Sequence, residues 1–357
     1  MRATLVEVAP RDGFQPIGPF VLTEEKVAFV EAAHPAGLRR IEIGSFVNPK
    51  AVPQLRDTGE VLRRTAHLEG LDAQVLVPNA RGVALALEAG ARHLAYVLSA
   101  SEAHNRSNVR RDVADSIRDY GGIVAGLPAG VEVRLNLAAS FDGRVEGDLL
   151  SRLDALLAHR EDVEVGLCDT TGRADPDHVF SLVSRCLARL GGRTRWTFHG
   201  HDTYGLGLAN VAATWRAGIA AFDGLGGLGG CPFAPGATGN AATEDVVWMF
   251  RRMGVETGVD LEALVAVAAR AAALPGASPR GRVAGCGRRW RGPARPRESG
   301  PRMRRTGFPN SREAPLKGQE ETTDDRALHP QRQVGGSHPR RARPAAALTF
   351  CGRNPST

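Results

Sequence analysis

Up to about Leu274 the chain repeats one alternation eight times, a short β-rich run followed by a longer amphipathic or alanine-rich stretch. Strand-like runs fall near 4–9, 39–45, 72–78, 93–99, 131–138, 163–168, 194–199 and 219–223. Helical patterns lie near 23–36, 56–67, 80–90, 109–126, 147–159, 176–190, 206–218 and 242–253. Hydrophobic periodicity of this kind is the primary signal of secondary structure. Eight such units in succession make a closed (β/α)8 TIM barrel the economical architecture, with an open doubly wound sheet as the alternative. Local signals agree. Thr23-Glu24-Glu25, Asp175-Pro176 and Thr243-Glu244-Asp245 read as helix starts. Gly37, Gly90, Gly191 and Gly218 read as left-handed helix ends. His34-Pro35 should shorten or kink the first helix, because proline lacks the N–H and clashes with the preceding turn.

From Pro275 onward the periodicity stops and Gly, Pro and Arg dominate. Such a segment cannot bury enough apolar surface to offset its ordering entropy. The expectation is a barrel domain over 1–275 and a disordered, Arg/Pro/Gly-rich basic tail over 276–357. Of the 46 Lys+Arg, 18 fall at Arg280 or later, together with 6 of the 39 Asp+Glu. The tail therefore carries +12 and the preceding residues −5, so the overall +7 belongs to the tail. A nucleic-acid reading of the whole chain loses its support.

Five cysteines, Cys168, Cys186, Cys231, Cys286 and Cys351, are odd in number, scattered and without a C-x-x-C pair. That argues against a disulfide framework and fits a reducing cytoplasm. The first residues run straight into Thr4-Leu5-Val6-Glu7-Val8 with no basic-then-apolar leader, and no uninterrupted apolar stretch is long enough for a membrane span. Asn105-Arg106-Ser107 matches a glycosylation sequon, which chance explains without a secretory signal.

The chemistry gathers at strand ends, where a TIM barrel places its active site. Phe198-His199-Gly200-His201-Asp202 sets two imidazoles one residue apart at the end of the seventh strand; side-chain alternation points both to one side. Arg11 and Asp12 follow the first strand, Glu42 and Ser45 close the second, Asp169 follows the sixth, and Asn240 stands after the eighth. Taken singly, Asp12 is a turn residue before Gly13, the histidines are a satisfied pair, and Asn240 is a loop or capping residue. Together Asp12, His199, His201 and Asn240 make a mixed N/O donor set suited to Mg²⁺ or Mn²⁺, with Zn²⁺ less favoured for want of a thiolate. Gly224-Leu225-Gly226-Gly227-Leu228-Gly229 formally fits G-x-G-x-x-G. The next helical pattern begins only near Ala241, so the dinucleotide reading fails and a glycine-rich loop remains. Cys231 lies within that loop and reads, on its own, as an inert loop thiol.

Longer runs carry a family resemblance. Val6-Glu7-Val8-Ala9-Pro10-Arg11-Asp12-Gly13-Phe14-Gln15, Ile41-Glu42-Ile43-Gly44-Ser45-Phe46-Val47-Asn48-Pro49-Lys50, His199-Gly200-His201-Asp202-Thr203-Tyr204-Gly205 and Gly229-Gly230-Cys231-Pro232-Phe233-Ala234-Pro235-Gly236 resemble 3-hydroxy-3-methylglutaryl-CoA lyases. These belong to the pyruvate carboxyltransferase-like, metal-dependent TIM-barrel superfamily. The resemblance spans about residues 4 to 270, and the cysteine loop is its most specific part. It implies retro-Claisen cleavage to acetyl-CoA and acetoacetate, with leucine breakdown as the setting. It also implies a divalent cation on Asp12, His199, His201 and Asn240, catalytic roles for Arg11 and Cys231, and proton abstraction by either Asp12 or His199. Glu42 and Asp169 would be supporting polar groups, with Gln15, Ser45 and Asn108 positioning substrate. The implied partner is an acyl-CoA thioester rather than a membrane or nucleic acid; the oligomeric state is open, a homo-oligomer included. Departures are Ala9 and Cys168, where glycine is usual, and Ala138-Ala139-Ser140-Phe141, which lacks the usual Gly-Cys-Pro. A lyase for another 3-hydroxyacyl-CoA, a Claisen-type synthase and a degraded barrel tethered by its basic tail are the rival readings.

Overall fold

The computed structural model describes residues 2–142, 146–225, 227–228, 239–278 and 281–286. β1 (Thr4–Glu7), β2 (Arg40–Ser45), β3 (Asp72–Val77), β4 (His93–Ser99), β5 (Glu132–Ala138), β6 (Glu164–Asp169), β7 (Arg195–Gly200) and β8 (Ala221–Leu225) pair in chain order. Every pairing is parallel and β1 closes on β8. The barrel is closed, and the open-sheet alternative falls. Parallel strands covered on both faces read as near-continuous apolar runs, and β6 is buried along its whole length.

Helices cover the outside: α1 (Thr23–Ala33), α2 (Thr58–Thr65), α3 (Ala80–Glu88), α4 (Glu102–Val109), α5 (Val113–Ala125), α6 (Glu146–Leu157), α7 (Pro176–Leu190), α8 (Gly207–Ala217), α9 (Thr243–Arg252) and α10 (Leu261–Ala272). α7 shows the local logic. Asp175 caps it by accepting from the His178 N–H at 2.8 Å, Pro176 occupies the first turn, and Val179, Leu182, Val183, Cys186 and Leu190 form the buried stripe. α1 ends at Ala33, just before His34-Pro35.

Several expected boundaries move. The pattern expected over 109–126 is α5, which starts only at Val113; α4 is an unexpected helix before it, ended by Arg110 in a left-handed conformation (φ 57°). α10 adds a helix beyond the eight units. Thr23 and Thr243 are not caps: α1 and α9 start after Leu22 and Ala242, and the two hydroxyls donate instead to Asp57 (2.9 Å) and Glu7 (2.5 Å). Gly191 ends α7 with φ −57°, whereas Gly37, Gly90 and Gly218 are left-handed as expected. Past the expected break at 275, α11 (Arg282–Gly285) forms a helical turn whose Arg282 and Val283 N–H groups donate to Asp245 at 2.9 and 2.7 Å.

The barrel interior is polar. Arg134 on β5 is fully buried and reaches Gln74 on β3 (3.2 Å), Glu164 on β6 (3.6 Å) and Asp223 on β8. Strands that are not neighbours can share one side chain only across the lumen. Arg40 bridges Glu164 and Asp72 at 2.7 Å each, and His93 lies 2.9 Å from Asp72. Removing one partner of such a buried pair strands a charge, costing about 3–5 kcal/mol.

Glu244 in α9 gives a prediction of its own. Burial raises its carboxyl to about 7, and neighbouring Asp245 and Glu7 add to the rise. Its stabilising contribution is therefore full below the unfolded value near 4.5 and is lost as pH climbs through about 7. Relative to Glu244→Gln, the wild-type protein should lose about 3 kcal/mol of stability between pH 5 and pH 8. Denaturant melts at both pH values in the presence of chelator check this; parallel pH profiles for the two proteins would contradict it.

Candidate active site

β1 delivers Arg11 and Asp12 through a widened turn over Ala9–Gly13. The Val8 carbonyl accepts from the N–H groups of Arg11, Asp12 and Gly13 (3.1, 2.7 and 3.3 Å), and Ala9 accepts from Phe14 at 2.8 Å. Bonds spanning five residues are rare and concentrate at functional sites. Pro10 fits here because its missing N–H is not needed. Glu7 fastens the entry, accepting from the Ala9 N–H at 2.7 Å and from Thr243. Arg11 then divides its guanidinium between two acids: Nη1 donates to Asp12 at 2.6 Å, and Nε to Glu42 at the end of β2.

β7 supplies the imidazoles. The rings of His199 and His201 lie 4.8 Å apart between centroids. His201 forms an antiparallel bridge with Asn240, Asp202 N–H donates to Gly239 (2.9 Å), and Ala241 N–H donates to Gly200 (3.3 Å). These backbone bonds dock residues 239–241 on the end of β7. Asn240 Nδ2 then donates to Asp12 Oδ2 at 2.7 Å, and His201 Nε2 lies 3.8 Å from the same oxygen. One donor atom from each of Asp12, His199 and His201 lies within 4.8 Å of the others.

The protonation states fit a cation. Burial opposes ionisation of Asp12, but Arg11 and the two histidines hold its carboxyl down at about 2. Burial, with neighbouring cationic groups, lowers both imidazoles, His199 well below its ordinary value, so each keeps a lone pair. Metal ligands must be unprotonated in this way. The Asn240 amide gives its N–H to Asp12, while its Oδ1 is buried with no hydrogen-bond partner, as is His201 Nδ1. A carboxylate, two imidazoles and an amide oxygen with such orphaned acceptors can hold a divalent cation.

The other expected residues divide. Glu42 is fully buried as the partner of Arg11, with Oε2 unbonded. Asp169 accepts N–H bonds from Arg173 and Ala174 (3.1 and 3.3 Å), and burial raises its carboxyl to about 6. Ser45 donates to the Leu76 carbonyl at 3.0 Å and so ties β2 to β3. Gln15 is half-buried. Asn108 is exposed in the last turn of α4; the buried amide of that helix is Asn105, which donates to Arg111, Asp112 and Ser116. An Asn105 so engaged is no glycosylation acceptor in the folded protein. Cys231 lies outside the described residues. Cys168 is a neutral thiol, since burial pushes it up to about 12, and Cys168, Cys186 and Cys286 are free. Among the described residues no helix is long and apolar enough to cross a membrane.

Two residues that matter here escaped the sequence reading. His199 Nδ1 lies 3.0 Å from Asp223 Oδ1, and Asp223 in turn meets Arg134. Charged residues alternating with apolar ones in Val133-Arg134-Leu135 and Phe222-Asp223 were the available signal.

Known proteins resemble this chain in sequence and in fold. The sequence profile of the HMGL-like family matches residues 2–270. An (R)-citramalyl-CoA lyase of Chloroflexus aurantiacus is 41% identical over 282 residues, covering 74% of this chain and 88% of its own. The hydroxymethylglutaryl-CoA lyase YngG of Bacillus subtilis is 38% identical over 273 residues, covering 75% and 91%. The structure of an HMG-CoA lyase from Acinetobacter baumannii with coenzyme A and 3-methylmalate superposes with a TM-score of 0.73 at 37% identity, covering 81% of this chain and 96% of that one. With a closed eightfold barrel, a carboxylate–imidazole cluster at its strand ends and a profile match over most of its length, the chain belongs to the HMGL-like family.

Proposed function

We propose that this protein is a divalent-metal-dependent lyase that cleaves 3-hydroxy-3-methylglutaryl-CoA to acetyl-CoA and acetoacetate. The observation that carries the reading is the meeting of Asp12, His199 and His201 beside Arg11, in a chain 38% identical to a hydroxymethylglutaryl-CoA lyase. Mg²⁺ or Mn²⁺, held by Asp12, His199, His201 and Asn240, would supply a Lewis-acid centre that orients and acidifies the substrate's tertiary hydroxyl. Asp12 and Asn240 supply oxygen donors that suit these ions, and no thiolate belongs to the proposed set to favour Zn²⁺.

The residues divide the remaining work. Asp12 takes the hydroxyl proton; His199 cannot both ligate and accept a proton, since its Nδ1 is engaged by Asp223. As the hydroxyl carbon becomes a ketone, the adjacent carbon–carbon bond breaks and its electron pair passes into the thioester as an enolate. Arg11, permanently cationic, stabilises the enolate oxygen. Cys231 gives its proton to the enolate carbon and is reprotonated from Asp12, which closes the proton balance. Glu42 holds Arg11, while Asp169, Gln15, Ser45 and Asn108 shape the surroundings. The catalytic unit is assigned to residues 1–275, with 276–357 an appended basic segment, and the protein to the cytoplasm.

A second substrate is favoured by one observation, the 41% identity to an (R)-citramalyl-CoA lyase. The same bond cleavage in that thioester releases pyruvate in place of acetoacetate. Purified protein with Mn²⁺ should release acetoacetate from 3-hydroxy-3-methylglutaryl-CoA with the higher kcat/KM. Faster pyruvate release from citramalyl-CoA would move the assignment to the second substrate, and no ketone from either would sink the lyase reading.

A further inference from the structure

We infer that Asp223 and Arg134 are positioning residues that lock His199 into the tautomer bearing its proton on Nδ1, leaving Nε2 as its one lone pair for a cation. The inference rests on the metal-centre reading above. Three observations carry it. His199 Nδ1 lies 3.0 Å from Asp223 Oδ1, a carboxylate that is 1% exposed and can only accept, so that ring nitrogen must carry the hydrogen. The second oxygen of Asp223 is in contact with the guanidinium of Arg134, which has no exposed surface and can only donate. Arg134 is itself held from across the lumen by Gln74 Oε1 on β3 at 3.2 Å, and from the neighbouring strand β6 by its register partner Glu164 at 3.6 Å.

The chain of contacts runs from strand to strand, not along a flexible loop. β8 carries Asp223 at the position paired with His199 on β7, so the acceptor sits beside the imidazole by strand register. Glu164 is anchored in turn by Arg40 at 2.7 Å, which also grips Asp72. Donor and acceptor alternate along this line, and that order decides the tautomer. Arg134 cannot accept, so it fixes the Asp223 carboxylate as an anion with an oxygen turned to His199. Outer carboxylates that orient a ligating histidine in this way raise metal affinity by about 10–100-fold.

The test compares Asp223→Asn with Glu164→Gln, which perturbs the same guanidinium without touching His199. Mn²⁺ affinity is read by electron paramagnetic resonance titration, folding by near-ultraviolet circular dichroism, and the tautomer by ¹⁵N–¹H correlation of the histidine rings in chelator-treated and Mg²⁺-loaded protein. In Asp223→Asn an amide turned to accept from His199 would aim its NH₂ at Arg134, so the lock weakens. The expected result is an Nδ1–H signal for His199 in the wild type and a loss of about 10–100-fold in Mn²⁺ affinity in Asp223→Asn. Glu164→Gln leaves Asp223 beside His199 and Gln74 on Arg134, and should lose distinctly less affinity than Asp223→Asn. Equal losses in both variants, or none in either, overturn the positioning role. Should Asp223→Asn fail to fold, the wild-type spectrum still decides, because an Nε2–H signal for His199 refutes the lock. A wild-type protein that binds no Mn²⁺ but shows Nδ1–H would defeat the metal reading alone and leave the tautomer assignment standing.

Discussion

Arg11→Lys is expected to lower kcat by about 10²–10³-fold, the cost of losing a preorganised donor to a developing oxyanion, with Mn²⁺ affinity nearly unchanged. Charge is conserved in this variant, so the prediction isolates geometry. Arg11 donates from Nη1 to Asp12 and from Nε to Glu42, and those two bonds aim the rest of its planar fork. A lysine ammonium on a flexible stem cannot span both acids and still face a third oxygen. Mn²⁺ affinity should survive because lysine keeps a positive charge beside Asp12, which is also bonded by Asn240. Turnover measured under saturating substrate, with Mn²⁺ titrated separately, checks both halves. Near-normal turnover would remove Arg11 from the enolate step.

His201→Ala should cost more Mn²⁺ affinity than the about 10–100-fold expected for loss of an outer partner, and activity should fall with it. His201 is one of three residues whose donor atoms converge within 4.8 Å, and it is bridged to the segment that presents Asn240. The effect has a reading independent of turnover. Mn²⁺ at about 100 times its Kd should stabilise the wild-type protein by about 2.7 kcal/mol, seen as a higher Tm, and should leave His201→Ala unmoved. An equal Tm rise in both proteins would place the ion elsewhere.

The strand ends were legible because two independent patterns met there. Period-two alternation put His199 and His201 on one side of β7, and the eightfold repeat put Asp12 on the same rim. Asp223 was not legible, since one acid near a strand end carries no mark of the histidine beside it until β7 and β8 are paired. Arg134 was hidden for a related reason: its partners on β3, β6 and β8 meet only when the barrel closes. Local signals failed where distant groups overrode them. Thr243 precedes two acids as a cap would, yet its hydroxyl serves Glu7, 236 positions earlier. Arg110 ends α4 in a conformation that glycine or asparagine usually announces.

Asn240 reaches Asp12 only across the seam where the first strand meets the last. A ribosome must therefore release most of the polypeptide before the full grip on the ion can exist, and early fragments have little means of capturing it. The ion would then act as a latch on the finished ring, rewarding completion and leaving stalled or truncated products unsealed.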